Sequence, residues 1–332
     1  MCHLIYTDTF YMKRKWIRWV SWILLTPIIL FVILMVLLYV PPVQNLLRRE
    51  VTAYASKATG MQIQVERIDL RFPLNLLVRG VEVIQQPDTL LSLESLNVRV
   101  QAWPLIKGKV EVDEVTLSRV AVNSADLMEG MKIKGVLGRF FLQSHGVDLS
   151  NELAVINQVE LSDTHVQLLM NDTTTTPKDT TASAPINWKV ALHQLKLKNV
   201  SFSMQLPADS MRMTAHIGEA AIDDAQADLK NQYYDLKKFL LSGTSASYDT
   251  GTAQPAEGFD ASHIAVRDIR IALDSLLYKG RDMNAVIREF TMNERSGLSV
   301  TALTGRAYSN DSVICVPGLK LHTPHSLSLI HI

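Results

Sequence analysis

The chain has 332 residues, of which 47% are hydrophobic and 20% charged, a composition typical of ordered protein rather than of a disordered tail. Lysine plus arginine and aspartate plus glutamate both number 33, so net charge gives no reason to expect nucleic-acid binding. Cys2 and Cys315 are the only cysteines, which excludes a disulfide framework and a cysteine-rich metal site.

The first predicted element is a membrane anchor. Residues 19–47 carry no charge, and the apolar centre over 22–40 is as long as a bilayer-spanning helix requires. The segment ends Leu-Tyr-Val-Pro-Pro, unlike the small-residue cleavage site of a signal peptide, so we expect it to be retained. We predict a transmembrane helix over 19–41, with four representative anchoring side chains: Trp22, Leu30, Phe31 and Tyr39.

Basic residues on one side of this segment predict its orientation. Lys13, Arg14, Lys15 and Arg18 precede it, so the positive-inside rule places residues 1–18 in the cytoplasm. Two arginines directly after the segment reduce the charge difference between its ends. The remaining chain is expected on the other side of the membrane, in the periplasm or outside the cell.

An amphipathic helix is predicted over 42–60. Apolar residues recur there at helical spacing, and Gly60 suits the C-terminal cap. Two interpretations stay open at this point: a cap where the anchor meets the folded part, and a connector that lies on the membrane surface.

From Met61 onward the hydrophobic period changes to two, which predicts a mainly β fold. Similar strand patterns begin at Val115, Val159, Leu195 and Ile269, with the loose spacing of stacked or solenoid units. The alternating apolar residues of these units are the candidate groove-lining residues: Val115, Leu117, Val120, Val122, Val159, Leu161, Val166, Leu195, Leu197, Val200, Phe202, Ile269 and Ile271.

A polar break interrupts each unit, for example Ser162-Asp163 and Lys198-Asn199. Leu117 and Val120 are three residues apart, so a regular strand would direct them to opposite faces. A bulge at the polar position would return them to one face and increase the twist.

The same patterns fit either an extended open sheet or a compact β-sandwich. The outward positions are polar or charged, and no helical layer that could cover the sheet follows in the sequence. We therefore predict an extended, twisted antiparallel sheet. Two threonine-, serine- or glycine-rich segments, near 171–186 and 242–258, are predicted to be disordered loops between strands.

Four segments in order carry a resemblance to a known family. They are Ala58-Thr59-Gly60, the strand start Leu77-Val78-Arg79-Gly80-Val81, the alternation over 91–100, and Leu105-Ile106-Lys107-Gly108. Behind a transmembrane helix, this order resembles the N-terminus of the AsmA-like family, over about 12–123.

The resemblance implies a taco-like β-groove that crosses the periplasm of a bacterium from an inner-membrane anchor and conducts phospholipid tails. The partners implied are the inner membrane and phospholipid, and no cofactor is implied. This chain is much shorter than such proteins. Residues 327–332 resemble a translated sequencing adapter, so we expect a fragment whose groove occupies 61–326.

Two further functions stay open. The first is an assembly factor for outer-membrane proteins, in which a sheet edge pairs with client strands beside an outer-membrane β-barrel partner. The second is an anchored structural module with a closed core and no transport. An enzyme is not expected, because the nine histidines are scattered and no catalytic or phosphate-binding motif is present. The sequence predicts no catalytic, cofactor-binding or metal-binding residue.

Overall fold

The computed structural model describes most of the chain after the predicted anchor. The described residues are 39–71, 74–85, 87–106, 111–124, 130–148, 151–170 and 187–330, together with the helical positions Leu25, Thr26, Ile29, Ile33 and Val36. Most of the predicted helix over 19–41, including Trp22, Leu30 and Phe31, lies outside the described residues. Tyr39 is described, and it lies in a turn. None of the helices in the described ranges combines the length and the hydropathy that crossing a membrane demands.

Helix α1 (Pro41–Thr59) is present where an amphipathic helix was predicted. Two prolines stand in its first turn, where backbone N–H groups have no partner within the helix. The helix ends at Gly60, which has a φ of 70° and donates its N–H to the Ser56 carbonyl at 3.0 Å. Glycine adopts this left-handed conformation without steric cost, so the predicted C-terminal cap is confirmed.

The rest of the described chain is mainly β, and its strands form one sheet. The strands are β1 (Gln62–Arg71), β2 (Asn75–Gln85), β3 (Asp88–Val100), β4 (Val112–Asn123), β5 (Met131–Asp148), β6 (Leu153–Met170), β7 (Lys189–Leu206), β8 (Met211–Asp228), β9 (Tyr233–Asp249), β10 (His263–Lys279), β11 (Asp282–Glu294), β12 (Ser299–Ser309), β13 (Ile314–Cys315), β14 (Leu319–Thr323) and β15 (Ser326–Ile330). A short helix α2 (Ala102–Ile106) joins β3 to β4, and a 3₁₀ turn (Pro207–Asp209) joins β7 to β8.

The sheet follows the order of the chain. Strands β1 to β12 are neighbours in sequence order, β14 and β15 continue from β12, and the short β13 also pairs with β12. Every pair is antiparallel except β6 with β7, which is parallel. The prediction of a wholly antiparallel sheet is therefore wrong at this pair. A parallel pair needs a connection of a dozen or more residues, and 171–188 separate these two strands. The loop predicted near 171–186 lies outside the described residues.

Helix α1 covers the outer edge of β1. The Gln44 side chain donates to the Leu70 carbonyl at 3.0 Å, and the Ile63 N–H donates to the Ser56 hydroxyl at 3.1 Å. An unprotected edge strand would offer its free N–H and C=O groups to any other chain. These contacts favour the interpretation of the helix as a cap on the folded part.

The second predicted loop, near 242–258, is partly a strand. Residues 242–249 form the end of β9 and are paired with both β8 and β10. The serine-, alanine- and glycine-rich sequence has little apolar surface of its own. Pairing on both sides supplies its backbone hydrogen bonds, so the prediction of disorder is wrong for this half. Residues 250–262 form the connecting loop.

Asp260 organises this connecting loop. Its carboxylate accepts hydrogen bonds from the backbone N–H groups of Ala256 at 3.0 Å and Ser262 at 2.9 Å, and contacts the His263 ring at 2.9 Å. These partners, the backbone of Ala256 first, lower the pKa of Asp260 from 3.8 to about 2. The stability that the ionised carboxylate contributes is complete above pH 3.8 and is lost as the pH falls towards 2.

We therefore expect Asp260→Asn to remove part of the acid sensitivity of the fold. The asparagine variant should be less stable than the parent at pH 6, because a neutral amide oxygen is a weaker acceptor than a carboxylate. The difference should shrink between about pH 4 and pH 2, where Asp260 of the parent becomes protonated. Urea unfolding of both proteins across this pH range measures it, and a constant difference would contradict the assignment.

The end of the chain is part of the sheet. Residues 327–330, predicted to derive from a sequencing adapter, belong to β15 and pair with β14. Ser326-Leu327-Ser328-Leu329 alternates polar and apolar residues, so it has a strand pattern whatever its origin. The origin of these residues stays a prediction, and 331–332 lie outside the described residues.

Candidate functional site

One row of apolar side chains crosses the sheet from β1 to β14. Residues that stand opposite each other on neighbouring strands direct their side chains to the same face of the sheet. Following these partners from strand to strand gives four rows, which we number 1 to 4 across the sheet. The members of row 2 are all apolar: Ile68, Val78, Leu96, Leu117, Phe140, Leu161, Leu197, Ala220, Leu241, Ile271, Phe290, Leu303 and Leu321. At about 4.8 Å between strands, this row is roughly 60 Å long.

Three further rows run beside row 2. Row 1 contains Leu70, Leu76, Val98, Val115, Leu142, Val159, Leu195, Ile222, Phe239 and Leu273. Row 3 begins Val65, Val81, Leu93, Val120, Leu137, Thr164, Val200 and Ile217, and Ile269 of β10 pairs with Thr244 at the same level. Row 4 contains Ile63, Val83, Leu91, Val122, Gly135, Val166, Phe202, Ala215, Ala246 and Val266. Only small residues and threonine interrupt these three rows.

The opposite face is polar at the same level of the strands. The residues next to row 2 in the chain form their own row of cross-strand partners: Arg67, Arg79, Ser95, Ser118, Arg139, Ser162, Lys198, Glu219 and Ser242. Successive residues of a strand point to opposite faces. One face of the sheet therefore carries rows 1 to 4. The other face is polar beside row 2, but elsewhere it also carries apolar side chains, among them Val136, Phe141 and Leu240.

A line of irregular residues separates row 2 from row 3, and we call it the central seam. The seam consists of positions that the cross-strand pairing skips: Glu66, Gly80, Glu94, Arg119, Gly138, Asp163, Asn199, Gly218 and Gly243. Five of these residues have positive φ: Gly80 at 58°, Arg119 at 47°, Asp163 at 52°, Asn199 at 53° and Gly243 at 59°. The pairs on either side of the seam keep the same register, so no strand has an extra residue there. A residue with positive φ instead turns the backbone out of the extended conformation and interrupts the alternation of side chains.

The prediction of a bulge at the polar breaks is wrong at Asp163 and Asn199, because the pairs Ser162–Lys198 and Thr164–Val200 on either side keep one register. The irregularity there is instead a positive φ at both residues. Because the left-handed backbone of Asp163 interrupts the alternation, Leu161 before it and Thr164 after it belong to the same face. The side chains of the seam satisfy each other. The Asn199 amide donates to the Asp163 carboxylate at 2.8 Å, and Arg119 is ion-paired with Glu94.

A shorter irregular line, the outer seam, lies on the other side of row 1. It consists of the skipped positions Asn157, His193, Asp224 and Lys237, of which Asp224 has a φ of 53°. The His193 ring contacts the Asp224 carboxylate at 3.0 Å. Rows 1 and 2 therefore lie between two lines at which the strands depart from regular geometry.

No second layer packs on the apolar face within the described residues. Every substantial contact between elements of that part joins neighbouring strands, or α1 to β1. None of its large side chains is fully buried, and Val122 and Phe202 of row 4 are 40% and 38% exposed. Most row residues are half-buried, and some are buried, among them Ile68, Leu93, Thr164 and Ala220. Because no second layer of the described part of the chain contacts them, this burial comes from neighbours in the same sheet, and the face is open rather than part of a closed core.

All thirteen candidate groove residues belong to these rows. Row 1 takes Val115, Val159 and Leu195; row 2 takes Leu117, Leu161, Leu197 and Ile271; row 3 takes Val120, Val200 and Ile269; and row 4 takes Val122, Val166 and Phe202. The candidates predicted from the sequence came only from β4, β6, β7 and β10, so the row members contributed by the other strands were missed. Sequence analysis also missed the seam glycines, whose signal in the sequence is a glycine between two alternating apolar runs.

Comparisons with known proteins add no functional assignment. No protein-family model matches this chain and no curated protein is significantly similar to it. In the described part of the chain, no three His, Cys, Asp or Glu side chains stand close enough together to hold a metal ion. The arrangement of the chain's own residues is therefore the basis for the functional proposal, and its main feature is the open apolar face.

Proposed function

We propose that this chain is part of an inner-membrane-anchored periplasmic bridge that moves phospholipid towards the outer membrane along a hydrophobic β-groove. The observation that carries the proposal is the uncovered apolar face, with row 2 unbroken across thirteen strands. Hydrocarbon tails lying on this face leave water at about 25 cal/mol per Å² of buried apolar area. The sheet supplies its own backbone hydrogen bonds, so it needs no polar group from the lipid.

The seams support a curved groove rather than a flat platform. Residues with positive φ in the middle of paired strands bend them, and the five such residues of the central seam lie on one line across the sheet. The outer seam provides a second bend on the other side of row 1. We infer a trough whose floor is rows 1 and 2 and whose wall on one side is rows 3 and 4.

The dimensions suit a lipid conduit. Row 2 is roughly 60 Å long, whereas the hydrocarbon core of a whole bilayer is about 30 Å thick. Several acyl chains would fit along the row at once. Headgroups would remain at the rim, in water, because the apolar face offers them no ionic partner.

The predicted anchor and the family resemblance support an inner-membrane location for the proposed bridge. Within the AsmA-like family the chain is most like the N-terminal part of TamB, the inner-membrane subunit of the translocation and assembly module. On this proposal a single transmembrane helix over 19–41 holds it in the bacterial inner membrane, with the sheet in the periplasm. A TamA-type β-barrel in the outer membrane is the partner that the assembly-factor alternative requires.

The proposal predicts that purified protein carries phospholipid. Lipid extracted from the detergent-solubilised full chain and analysed by mass spectrometry should contain phospholipid in at least equimolar amount after extensive washing. An unrelated single-pass membrane protein, purified in parallel, is the control for lipid retained by the detergent micelle around the anchor. Lipid at or below the level of that control would refute transport along the sheet.

A further inference from the structure

A cleft lies between α1 and the first two strands. Its volume is about 720 Å³, and its wall on the helix side is made by Arg48, Arg49, Thr52 and Ala53. On the sheet side the lining residues are Ile63, Gln64, Val65, Glu66, Gly80 and Glu82. Ile63 and Val65 are the first members of rows 4 and 3, whereas the cross-strand pair Gln64 and Glu82 belongs to the opposite face, so the cleft lies at the edge of the sheet, where both faces begin.

The cleft contains charges of both signs that have not paired with each other. Arg48 and Arg49 stand on the helix, and Glu66 and Glu82 on the strands. Within the described ranges none of these four side chains takes part in an ion pair. Two guanidinium groups and two carboxylates held apart around one volume can receive a ligand that also carries both signs.

Two buried polar atoms of the same cleft lack partners. Arg48 donates one terminal nitrogen, Nη1, to the Val65 carbonyl at 3.1 Å, which fixes the guanidinium against β1. Its Nε and the Thr52 hydroxyl are buried without a hydrogen-bond partner. Leaving such groups unpaired is unfavourable, so native proteins normally satisfy them with water or a ligand.

We propose that this cleft binds a zwitterionic phospholipid headgroup, one with a phosphate and a primary ammonium, where lipid enters the groove. Arg48, Arg49 and Thr52 provide donors for the phosphate oxygens, in the fork geometry that guanidinium groups offer. Glu66 and Glu82 accept from the ammonium. The proposal rests on the proposed function, since it names the entry point and the headgroup class of the same conduit.

The position of the cleft fits an entry site. The helix that forms one wall begins at Pro41, directly after the segment predicted to cross the membrane. A headgroup bound between α1 and β1 would leave its acyl chains beside Ile63 and Val65, at the first strand of the apolar rows. The headgroup would then be released as the tails move along the sheet.

Native mass spectrometry of the detergent-solubilised full chain tests the proposal. Phosphatidylethanolamine, phosphatidylglycerol and phosphatidylcholine are added separately, because they share the phosphate and differ in the amine. We expect the unmodified protein to bind phosphatidylethanolamine about tenfold more tightly than the other two. Arg49→Ala should weaken this binding about tenfold, and the double variant Glu66→Gln with Glu82→Gln should abolish the preference for the ethanolamine headgroup.

Lys57→Ala is the matched control. Lys57 is an exposed basic residue of the last turn of the same helix, and it does not line the cleft. It should leave all three affinities unchanged. Equal losses in Lys57→Ala and Arg49→Ala would indicate general attraction to a positive helix and would overturn the site, as would equal affinity of the unmodified protein for the three lipids.

Inorganic phosphate separates a headgroup site from a free-phosphate site. Phosphate added at millimolar concentration should not displace phosphatidylethanolamine; displacement that disappears in Arg49→Ala would assign the cleft to free phosphate and contradict the proposal. Failure of the headgroup-site proposal is distinguishable from failure of the conduit proposal. Lipid bound along row 2 with no effect of Arg49→Ala refutes only the entry site, whereas absence of bound lipid in every variant refutes the conduit itself.

Discussion

Replacing Leu161 with aspartate should empty the proposed groove while leaving the protein folded. Leu161 is in the middle of row 2, between Phe140 of β5 and Leu197 of β7. A carboxylate at this position would have to lose its hydration shell to contact a hydrocarbon tail, at a cost of several kcal/mol. We expect at least about a tenfold decrease in copurified phospholipid, which corresponds to 1.4 kcal/mol of binding free energy.

The stability of this variant separates an open face from a closed core. On an uncovered face the aspartate remains in contact with water, so the free energy of unfolding should decrease by only about 1 kcal/mol. In a closed sandwich the same substitution would bury an unpaired charge and unfold the domain. Ser162→Asp is the control, because its side chain belongs to the polar row. The conduit is refuted if both variants lose lipid equally, or if neither does.

Substituting the seam glycine Gly218 with alanine should destabilise the sheet at its bend. A Cβ at this position would stand 2.8 Å from the Gly243 carbonyl oxygen and 3.1 Å from the Ser242 carbonyl oxygen. Both are backbone atoms of the paired strand β9, so neither can move without disturbing the ladder. We expect a loss of about 1 to 3 kcal/mol in the free energy of unfolding, measured by urea denaturation.

Gly135→Ala is the matched control for Gly218→Ala. Gly135 is also a mid-strand glycine without positive φ, but it belongs to row 4 rather than to the seam. An added Cβ there would meet its nearest neighbours at 3.5 and 3.8 Å, which is ordinary van der Waals contact. Gly135→Ala should change the free energy of unfolding by less than about 1 kcal/mol. Equal destabilisation by both substitutions would show that the seam has no special role in the backbone.

The strands and the helix that are set by the spacing of hydrophobic residues were predictable from the sequence. Strands β4, β6 and β7 run in the same direction. Their apolar residues therefore belong to row 1, then row 2, then rows 3 and 4, in the same order along each strand. The repeat that begins at Val115, Val159 and Leu195 is this shared order, and the polar break in each unit is the central seam. Helix α1 was predictable for the same reason, from its 3.6-residue period and its terminal glycine.

Strands that run the other way were harder to recognise. In β10 the chain reaches row 3 at Ile269 before row 2 at Ile271, the reverse of the order in β4. A search for one forward pattern therefore aligned β10 to the wrong rows and missed β5 and β8. The end of β9 was taken for a loop because its row positions are Thr244 and Ala246, whose pairing partners, not their own side chains, hold them in the sheet.

The parallel pair and the cleft depend on contacts that local patterns do not encode. Strand β7 begins beside the start of β6, with Lys189 opposite Leu153, and not beside its end; both directions would satisfy the same alternation. Arg48 and Arg49 entered the sequence analysis only as charges beside the anchor. Their place opposite Glu66 and Glu82 follows from the docking of α1 on β1.

Site-specific photo-crosslinking in living cells tests the central claim most directly. A photoreactive amino acid is placed at three adjacent pairs whose members point to opposite faces: Leu117 and Ser118, Leu161 and Ser162, Leu241 and Ser242. The account predicts phospholipid adducts, detected by mass spectrometry, at all three leucine positions and at none of the serine positions. Adducts with equal yield on both faces, or no lipid adduct at any leucine position, would contradict it.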